Sequence, residues 1–272
     1  MNAVIIACVL TGLIHFIETL ATSMRLAGVR TKQVATSVSF VNAILLFSRL
    51  SNMLQAPLLG GMVDTAILMN TVDTLQGSFR IIIFAAFVGN MVGAVMAPFG
   101  VYIFTGAINS FEKTASLPRT ILAGLYPKNL LKMIKGFRLP ALQSLKGLSL
   151  AGIPKTFLVL NMFVVAIYSI GVLSSLCAGA FVPSYRTTAT QLSGIVNGIA
   201  TLFLALMVDP VCAHITDQAV RGKRKEQDVK TMIFYIIMGR VLGTLILSQL
   251  FFMPATSYVK SATIFVKGLF LK

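Results

Sequence analysis

The side chains that could do chemistry in this sequence lie inside apolar stretches. The segment TGLIHFIETLATSMRL (residues 11–26) carries His15, Glu18 and Arg25, and two further apolar stretches carry Arg49 and Arg240. Groups of these types could bind an anion or carry a proton. At about 100° per residue, the polar side chains of the first segment fall within roughly 80° on one helical face. These side chains are Thr11, His15, Glu18, Thr22 and Arg25.

A charged side chain at the centre of a bilayer costs at least about 2.5 to 3.5 kcal/mol, so these groups need partners or a wet cavity. Glu18 is the acidic residue nearest the middle of a predicted span, and it can neutralise Arg49 or Arg240 but not both. The excess positive charge predicts a cavity that attracts an anion. Polar faces on three other spans should line the same interior: Asn42, Arg49 and Asn52; Ser193, Asn197 and Thr201; Arg240, Thr244 and Ser248.

Two alternatives stay open for the charged groups of the first span. The first is a structural pair between Glu18 and Arg49, with His15 hydrogen bonded to the backbone. The second is a proton relay through His15 and Glu18, because histidine titrates near neutral pH.

The sequence contains no recognisable set of catalytic residues. HFIE (residues 15–18) lacks the second histidine of a metalloprotease helix, and no Walker motif or G-x-S-x-G elbow is present. We therefore predict a transporter without its own ATPase and without a cofactor. The cysteines have neither a disulfide framework nor the spacing of a zinc site, so no metal is predicted; they are Cys8, Cys177 and Cys212.

The elements that must position these groups are membrane-spanning helices. Only 11% of the residues are charged and 56% are hydrophobic, with a mean hydropathy of +0.86, whereas soluble domains have roughly 25% charged residues. Apolar blocks of about 20 residues suit helices that cross about 30 Å of hydrocarbon. The predicted fold class is an all-α polytopic membrane protein with six transmembrane helices, near residues 2–24, 33–57, 81–106, 156–179, 190–211 and 231–257.

The net charge of +15 is distributed as membrane topology would require, and no nucleic-acid partner is predicted. Basic residues concentrate in the first, third and fifth loops, whereas the opposite loops hold only Arg80 and Arg186. This asymmetry predicts that the basic loops are cytoplasmic and that both termini lie outside. The C-terminal tail is an exception, because it carries Lys260, Lys267 and Lys272.

The long third loop contains an amphipathic segment, YPKNLLKMIKGFRLP (residues 126–140). Its two faces predict a helix on the cytoplasmic surface among anionic lipid headgroups, either as an anchor or as a collector of anionic lipid near the cavity mouth. The apolar face consists of Leu130, Met133, Ile134 and Phe137, and the basic face of Lys128, Lys132, Lys135 and Arg138.

The two halves of the chain resemble each other. RIIIFAAFVGNMVGAVM (80–96) aligns with KTMIFYIIMGRVLGTLI (230–246), PLLGGMVDTA (57–66) with PVCAHITDQA (210–219), and Arg30-Thr31 with Arg186-Thr187, at spacings of 150, 153 and 156 residues. Three spans per unit would invert the second copy, as in transporters that work by alternating access. The predicted domains are a first three-helix repeat (1–108), a basic cytoplasmic loop with the amphipathic helix (109–155) and a second three-helix repeat (156–272).

The aligned blocks also share closely spaced glycines, which allow helix backbones to approach each other. The pairs Gly89/Gly93 and Gly239/Gly243 are predicted to pack helices within the fold or between the protomers of a homo-oligomer.

The run LIHFIETLATSMRLAGVRTKQVATSVSFVNAILLFSRLSNMLQAPLLGGMVD (residues 13–64) resembles the Amj family, the alternate lipid II flippases of bacilli and related bacteria. The resemblance extends in length and span pattern to the whole chain. It implies a multi-pass protein of the bacterial cytoplasmic membrane. The implied activity is the movement of undecaprenyl-pyrophosphate-linked disaccharide-pentapeptide from the inner to the outer leaflet for peptidoglycan synthesis, in parallel with the unrelated flippase MurJ.

The roles of single residues rest on the polar faces, since the resemblance supplies no catalytic positions. Arg49 and Arg240, helped by Arg25, are predicted to hold the pyrophosphate while the lipid tail stays in the bilayer, because arginine offers fork-shaped donors to phosphate. Asn42 and Asn52 complete the predicted binding set, and Glu18 and His15 are predicted to balance charge or couple protons. Competing functions are a flippase for another anionic polyprenyl lipid, a non-transporting membrane scaffold and a membrane-embedded hydrolase.

Overall fold

The computed structural model describes residues 2–137, 140, 147–149 and 152–270, and within them the protein is helical. Twelve α-helices follow one another in this described part: α1 (Asn2–Ala21), α2 (Met24–Thr31), α3 (Val34–Leu68), α4 (Val72–Thr114), α5 (Leu117–Leu125), α6 (Pro127–Lys135), α7 (Lys155–Phe181), α8 (Arg186–Gln191), α9 (Ser193–Phe203), α10 (Asp209–Val220), α11 (Glu226–Leu242) and α12 (Ser248–Phe270). A 3₁₀ turn (Pro183–Tyr185) precedes α8. Two π-helical turns link α9 to α10 (Leu204–Val208) and α11 to α12 (Gly243–Leu247).

Six helical stretches of the described chain are long and apolar enough to cross a membrane, which confirms the predicted number of spans. Several are longer than predicted, and the helices continue through Pro57 in α3, Pro98 in α4 and Pro254 in α12. Membrane helices tolerate proline where neighbouring helices and side chains satisfy the freed backbone groups. Asp64 and Arg80, which fall between predicted spans, therefore lie on helices.

Two spans are interrupted at positions that matter for the interior. The first span breaks after Ala21, where the hydroxyls of Thr22 and Ser23 donate to the carbonyl oxygens of Thr19 and Leu20. Such local bonds compete with the helical ladder. The fifth span is interrupted by the π-helical turn at Leu204–Val208, just before Pro210, whose missing N–H removes one helical hydrogen bond.

The first helix runs antiparallel to α3 and parallel to α4. Glu18 of α1 contacts Ser48 of α3, whereas Thr11, which comes earlier on α1, contacts Gln55, which comes later on α3. On α4 the order is the same as on α1, because Gly89 lies against Gly12 and Gly100 against Leu20. We call the end of the bundle that carries the connections 32–33 and 221–225 the basic side, and the end with the connection 69–71 the opposite side.

The opposite side is filled by a large apolar cluster from α1, α3, α4, α7 and α12, which includes Phe79 and Phe252 with no exposed surface. Two polar contacts join the halves of the chain at that side. Arg186 Nη1 lies 2.7 Å from Asp64 Oδ1, and Arg80 Nη1 donates to the carbonyl oxygen of Gln249 at 3.0 Å. The interior is therefore closed at this end.

The amphipathic segment forms α6, which is shorter than residues 126–140 because the helix ends at Lys135 and Gly136 follows as its C-cap. Leu130 and Ile134 are exposed, as expected for a helix that rests on lipid. The residues that follow α6 lie against α4, where Gly136 lies against the ring of Tyr102 and Phe137 against Phe99. Arg138 of the predicted basic face and Lys272 of the tail lie outside the described residues.

The paired glycines pack helices inside the chain. A Cβ atom at Gly89 would overlap the carbonyl oxygen of Gly12 on α1, and one at Gly243 would lie 2.7 Å from the carbonyl oxygen of Met162 on α7. Close backbone approach at these points brings α4 against α1, and α11 with its π-helical turn against α7.

We expect Gly89→Ala to destabilise the protein by about 1 to 3 kcal/mol, because the added methyl group overpacks a backbone contact. Gly106→Ala is the matched control on the same helix, since nothing lies within 4 Å of a Cβ atom there. Alanine should be neutral at Gly106 or stabilising by about 0.5 to 1 kcal/mol. Thermal unfolding of both variants in detergent measures the difference, and equal stability of the two would contradict the assigned contact.

Candidate functional site

A cavity of about 650 Å³ lies in the half of the bundle nearer the basic side. It is lined by the second half of α1, the start of α2 and the first halves of α3 and α7. The segment from Ala200 to Ala213 and the second half of α11 complete the lining. The sequence puts polar groups there because the α1 and α3 faces identified above turn inward. The polar lining includes Glu18, Arg25, Asn42, Arg49, Asn52 and Arg240.

An ion pair between Glu18 and Arg240 lies at the deep end of this cavity. Arg240 Nη2 donates to Glu18 Oε2 at 2.5 Å, and each side chain is only 13% exposed. Arg240 Nε also donates to Thr19 Oγ1 at 2.9 Å, and Ser48 Oγ donates to the other carboxylate oxygen of Glu18 at 3.0 Å. Both charged groups are therefore held by several bonds, as burial of charge requires.

A second layer of bonds fixes the position of Arg240. Asn90, which is fully buried on α4, accepts a hydrogen bond from Thr19 Oγ1 at 2.6 Å. Its amide nitrogen donates to Thr244 Oγ1 at 3.1 Å and to the carbonyl oxygen of Arg240 at 3.3 Å. The network thus connects α1, α4 and α11, and with Ser48 it reaches α3 as well.

Arg25 is also paired in this structure. Its Nη2 atom lies 2.8 Å from Oδ1 of Asp209, which is the first residue of α10. The pair is half-exposed and bounds the cavity toward the basic side, where it joins α2 of the first half to α10 of the second. A second contact between the halves, Arg30 to Glu226 at 2.9 Å, lies at the same side.

Arg49 differs from the other two arginines of the lining. It is exposed toward the cavity and makes no hydrogen bond or ion pair with any residue that the structure describes. Asn42 and Asn52 are likewise exposed and unbonded on the same side of α3. With three arginines against Glu18 and Asp209, the described lining carries one uncompensated positive charge, and it belongs to Arg49.

The cavity thus brings together six of the seven residues singled out by sequence: Arg25, Asn42, Arg49, Asn52, Arg240 and Glu18. His15 does not line it; this side chain is 4% exposed and buried beside Asn90, and its Nδ1 atom has no hydrogen-bond partner. The alternative pair between Glu18 and Arg49 is not formed. Arg240, from the other half of the chain, takes the carboxylate, while Ser48 occupies its second oxygen.

Several residues of the site escaped the sequence reasoning. Asp209 sits at the edge of the predicted fifth span, beside Pro210, where it was not counted as an interior acid. Asn90 aligns with Arg240 in the repeat, which is a signal that could have found it. Tyr168 and Asn161 on α7 also line the cavity, but they lie in an apolar stretch with no polar periodicity. Within the described part of the chain, no group of three or more His, Cys, Asp and Glu side chains could hold a metal ion.

The chain is similar to proteins of known description. Residues 10–263 match the family model described as Amj, alternate to MurJ. Over 248 residues the chain is 38% identical to a Bacillus subtilis (strain 168) protein named Lipid II flippase Amj, and the match covers 91% of each chain. No solved structure matches the chain.

The pairing pattern predicts unequal costs for removing the arginines. Arg240→Ala should destabilise the protein by about 3 to 5 kcal/mol, because it leaves Glu18 as an unpaired buried charge. Arg49→Ala should change stability by no more than about 0.5 kcal/mol, because the side chain is exposed and has no partner to lose. Thermal unfolding in detergent tests this order.

The double variant Glu18→Gln/Arg240→Gln is the control for the pair. It should recover part of the stability lost in Arg240→Ala, because no lone charge stays buried. Equal losses for Arg49→Ala and Arg240→Ala would show that the ion pair is not formed as described.

Proposed function

The chain belongs to the Amj family, and on that premise we propose that the protein is a lipid II flippase of the bacterial cytoplasmic membrane. It would move the undecaprenyl-pyrophosphate-linked peptidoglycan precursor from the inner to the outer leaflet, without an ATPase of its own. The relative's name supplies the substrate. The single observation that carries the proposal from this chain's side is the unpaired Arg49 in a cavity that six apolar spans place within the membrane.

Arg49 is the residue proposed to receive the pyrophosphate first. A guanidinium group offers a planar fork of donors that matches phosphate oxygens, and at Arg49 this fork has no partner to give up among the described residues. Asn42 and Asn52, on the same side of α3, add amide donors within the same lining. Arg240 and Arg25 are proposed as later ligands, because each must first exchange a carboxylate, Glu18 or Asp209, for the substrate.

We propose that the two three-helix units, 1–108 and 156–272, are inverted repeats around this cavity, with 109–155 as the basic loop between them. The helix contacts support this. Gly89 and Gly93 lie against Gly12, Phe16 and Thr19 of α1, and Gly239 and Gly243 lie against Asn161, Met162 and Ala166 of α7. Gly12 and Phe16 correspond to Met162 and Ala166 at the same 150-residue spacing that relates the glycines. Exchange of conformation between such halves would move the cavity opening from one side to the other.

The membrane potential would favour export of such a lipid. Moving one elementary charge across the membrane is worth about 2.3 kcal/mol per 100 mV. About two negative charges that leave a negative interior therefore gain roughly 4 to 5 kcal/mol per 100 mV. Under the predicted topology the basic side is cytoplasmic, and the cavity in this structure then faces the leaflet in which the precursor is made. Coupling of lipid export to a proton gradient would add a second driving force.

Glu18 is proposed to balance Arg240 while the cavity is empty. Its two carboxylate oxygens accept from Arg240 and Ser48, so a substrate that takes over Arg240 leaves Glu18 with the Ser48 bond alone, and a proton on the carboxyl group would then remove its charge. His15 is the residue proposed to exchange a proton with it, since it is buried nearby with a free Nδ1 atom.

Anionic membrane lipids are proposed as further partners at the basic side. A second cavity of about 880 Å³ lies between α3, α4, α5 and α6, and combines apolar walls with Lys113 and Lys132. Neither lysine has an ion-pair partner among the described residues. Phospholipid analysis of the purified protein, with Lys113→Ala/Lys132→Ala as the comparison, tests whether anionic lipid is retained there.

A smaller anionic polyprenyl lipid is the second candidate substrate. The cavity volume of about 650 Å³ falls in the range of about 300 to 1,000 Å³ that is usual for small-molecule pockets. A bare polyprenyl phosphate headgroup fits such a volume easily, whereas a disaccharide-pentapeptide would have to extend beyond it. Both lipids therefore belong in the same transport assay.

We expect Arg49→Ala to abolish measurable flipping of labelled lipid II in proteoliposomes and to fail to support growth when it is the sole flippase. Losing charge-assisted hydrogen bonds worth about 1.5 to 3 kcal/mol should weaken substrate binding by roughly 10- to 100-fold. Arg49→Lys should keep part of the activity. Arg221→Ala, which removes an exposed charge of the basic side outside the cavity, is the control. Full complementation by Arg49→Ala and Arg240→Ala would refute the arginine assignment.

The coupling role of Glu18 has its own test. In proteoliposomes assayed with and without an imposed pH gradient, Glu18→Gln should remove any dependence of the flipping rate on the gradient, since the variant cannot bind or release a proton at this position. Rates are normalised to folded protein, and Glu226→Gln, at the half-exposed end of α11, is the control. A dependence that survives Glu18→Gln would leave Glu18 with a structural role only.

A further inference from the structure

The cavity is bounded on one side by two helical segments that do not pack on each other. On α3 its lining extends from Ser37 to Asn52, and on the fifth span from Ala200 to Ala213. α3 packs against α1, α2, α4 and α7, and α9 packs against α7, α8 and the π-helical turn, but α3 and α9 have no extended contact. The cavity therefore has a long open side between α3 and the fifth span, which we call the lateral gap.

The two edges of the lateral gap are mainly apolar. Val38, Val41 and Leu45 contribute the α3 edge, and Ala200 and Leu204 contribute the edge on the fifth span. Neighbouring side chains that point outward, including Leu46 and Leu202, are more than half exposed, as lipid-facing residues would be. A path through the lateral gap thus leads from the arginines to an apolar exterior without crossing a charged group.

The fifth span is the more weakly held of the two edges. Only 17% of its most apolar window is buried inside the protein, against 22% for the second span, which forms the other edge. The π-helical turn at Leu204–Val208 lies in the edge itself, and such turns interrupt the regular helical ladder and recur at functional sites. The fifth span, which would have to move to admit a bulky ligand, therefore has the smallest buried share among the six spans of the described chain.

We propose that the lateral gap between α3 and the fifth span is the passage through which the prenyl chain of the substrate reaches the bilayer while the pyrophosphate is held at Arg49. The inference rests on the proposed function, since it needs a lipid with an anionic headgroup. A headgroup in the cavity and a long apolar chain in the membrane require a lateral opening. The chain is already out of water in the bilayer, so drawing it into the interior beside the arginines would gain no hydrophobic free energy.

The opposite face of α3 provides a matched alternative path. Phe40, Ile44 and Phe47 of α3 line the second cavity, between α3 and α4, so one helix separates the two spaces. The second cavity has no connection with Arg49 through shared lining residues. The chain could lie there only if the headgroup lay elsewhere, and a direct comparison of the two faces of α3 decides between the paths.

A tether across the lateral gap tests the passage. Leu45→Cys and Leu204→Cys are introduced into a protein whose Cys8, Cys177 and Cys212 have been replaced, and are joined with bismaleimides of increasing length. The control tether joins Phe47→Cys to Ile103→Cys across the second cavity. We expect the first tether to reduce flipping of lipid II at least tenfold, and the control tether to leave the rate within about twofold of the unjoined protein.

Binding separates the passage from the headgroup site. With the gap tether in place, a water-soluble analogue with the same headgroup and a short prenyl chain should still bind, whereas full-length lipid II should not. Unchanged flipping with the gap tether, or equal inhibition by both tethers, would overturn the proposal. If the untethered protein flips no lipid II, the proposed function itself fails, and binding of the two ligands still tests the gap.

A pair of tryptophan variants gives the same comparison without cross-linking. Val38→Trp narrows the lateral gap and Phe47→Trp narrows the second cavity, at positions of similar exposure, 51% and 57%. Val38→Trp should slow flipping several-fold, and Phe47→Trp should not. The reverse order would place the prenyl chain on the other face of α3.

Discussion

The ion pair between Glu18 and Arg240 is the contact around which the interior of this protein is organised. A lone charge buried at this depth would cost several kcal/mol of stability. Each of the two charges offsets the free-energy cost of burying the other. The pair connects the first span to the sixth, and its supporting bonds through Ser48 and Asn90 reach the second and third. Because Glu18 is taken by Arg240, the cavity keeps Arg49 as a cation without a partner in the described structure. The uncompensated positive charge of the described lining thus depends on which arginine pairs with Glu18.

The two ends of the bundle differ in the contacts that hold the halves of the chain together. At the opposite side, close-packed apolar side chains and the contacts of Arg186 with Asp64 and of Arg80 with Gln249 hold the halves together. At the basic side, the halves meet through the ion pairs of Arg25 with Asp209 and of Arg30 with Glu226 and through a second apolar cluster that includes Leu26, and the cavity lies between them beside these contacts. Each half is also held internally by close helix packing. A molecule built in this way can change the separation at one end without repacking either half.

Sequence reasoning found the spans and the polar faces because both are local properties. The apolar blocks gave six helices, and the helical period put Glu18, Arg25, Arg49 and Asn42 on inward faces, where the structure places them. One helix end was misplaced because the predicted second span stops at Pro57, whereas α3 continues through this proline to Leu68.

The partner of Glu18 could not be deduced from sequence, because a helical wheel gives the face of one helix and not the helix that lies opposite. That choice depends on the close approach of α4 to α1 at Gly89, which brings Asn90 to Thr19 and with it the backbone of Arg240. The partner of Arg25 could not be deduced either, because Asp209 belongs to the other half of the chain and α1 ends at Ala21, before Arg25. The unpaired state of Arg49 is therefore a tertiary property.

Accessibility of position 42 tests the central claim, a substrate-binding cavity that is reached from the basic side, most directly. Asn42→Cys, in a protein without its native cysteines, would be labelled with a membrane-impermeant maleimide in inside-out and right-side-out vesicles, with and without added lipid II. The account predicts labelling from the cytoplasmic face and protection by lipid II. Labelling only from the outer face, or labelling that lipid II leaves unchanged, would contradict it.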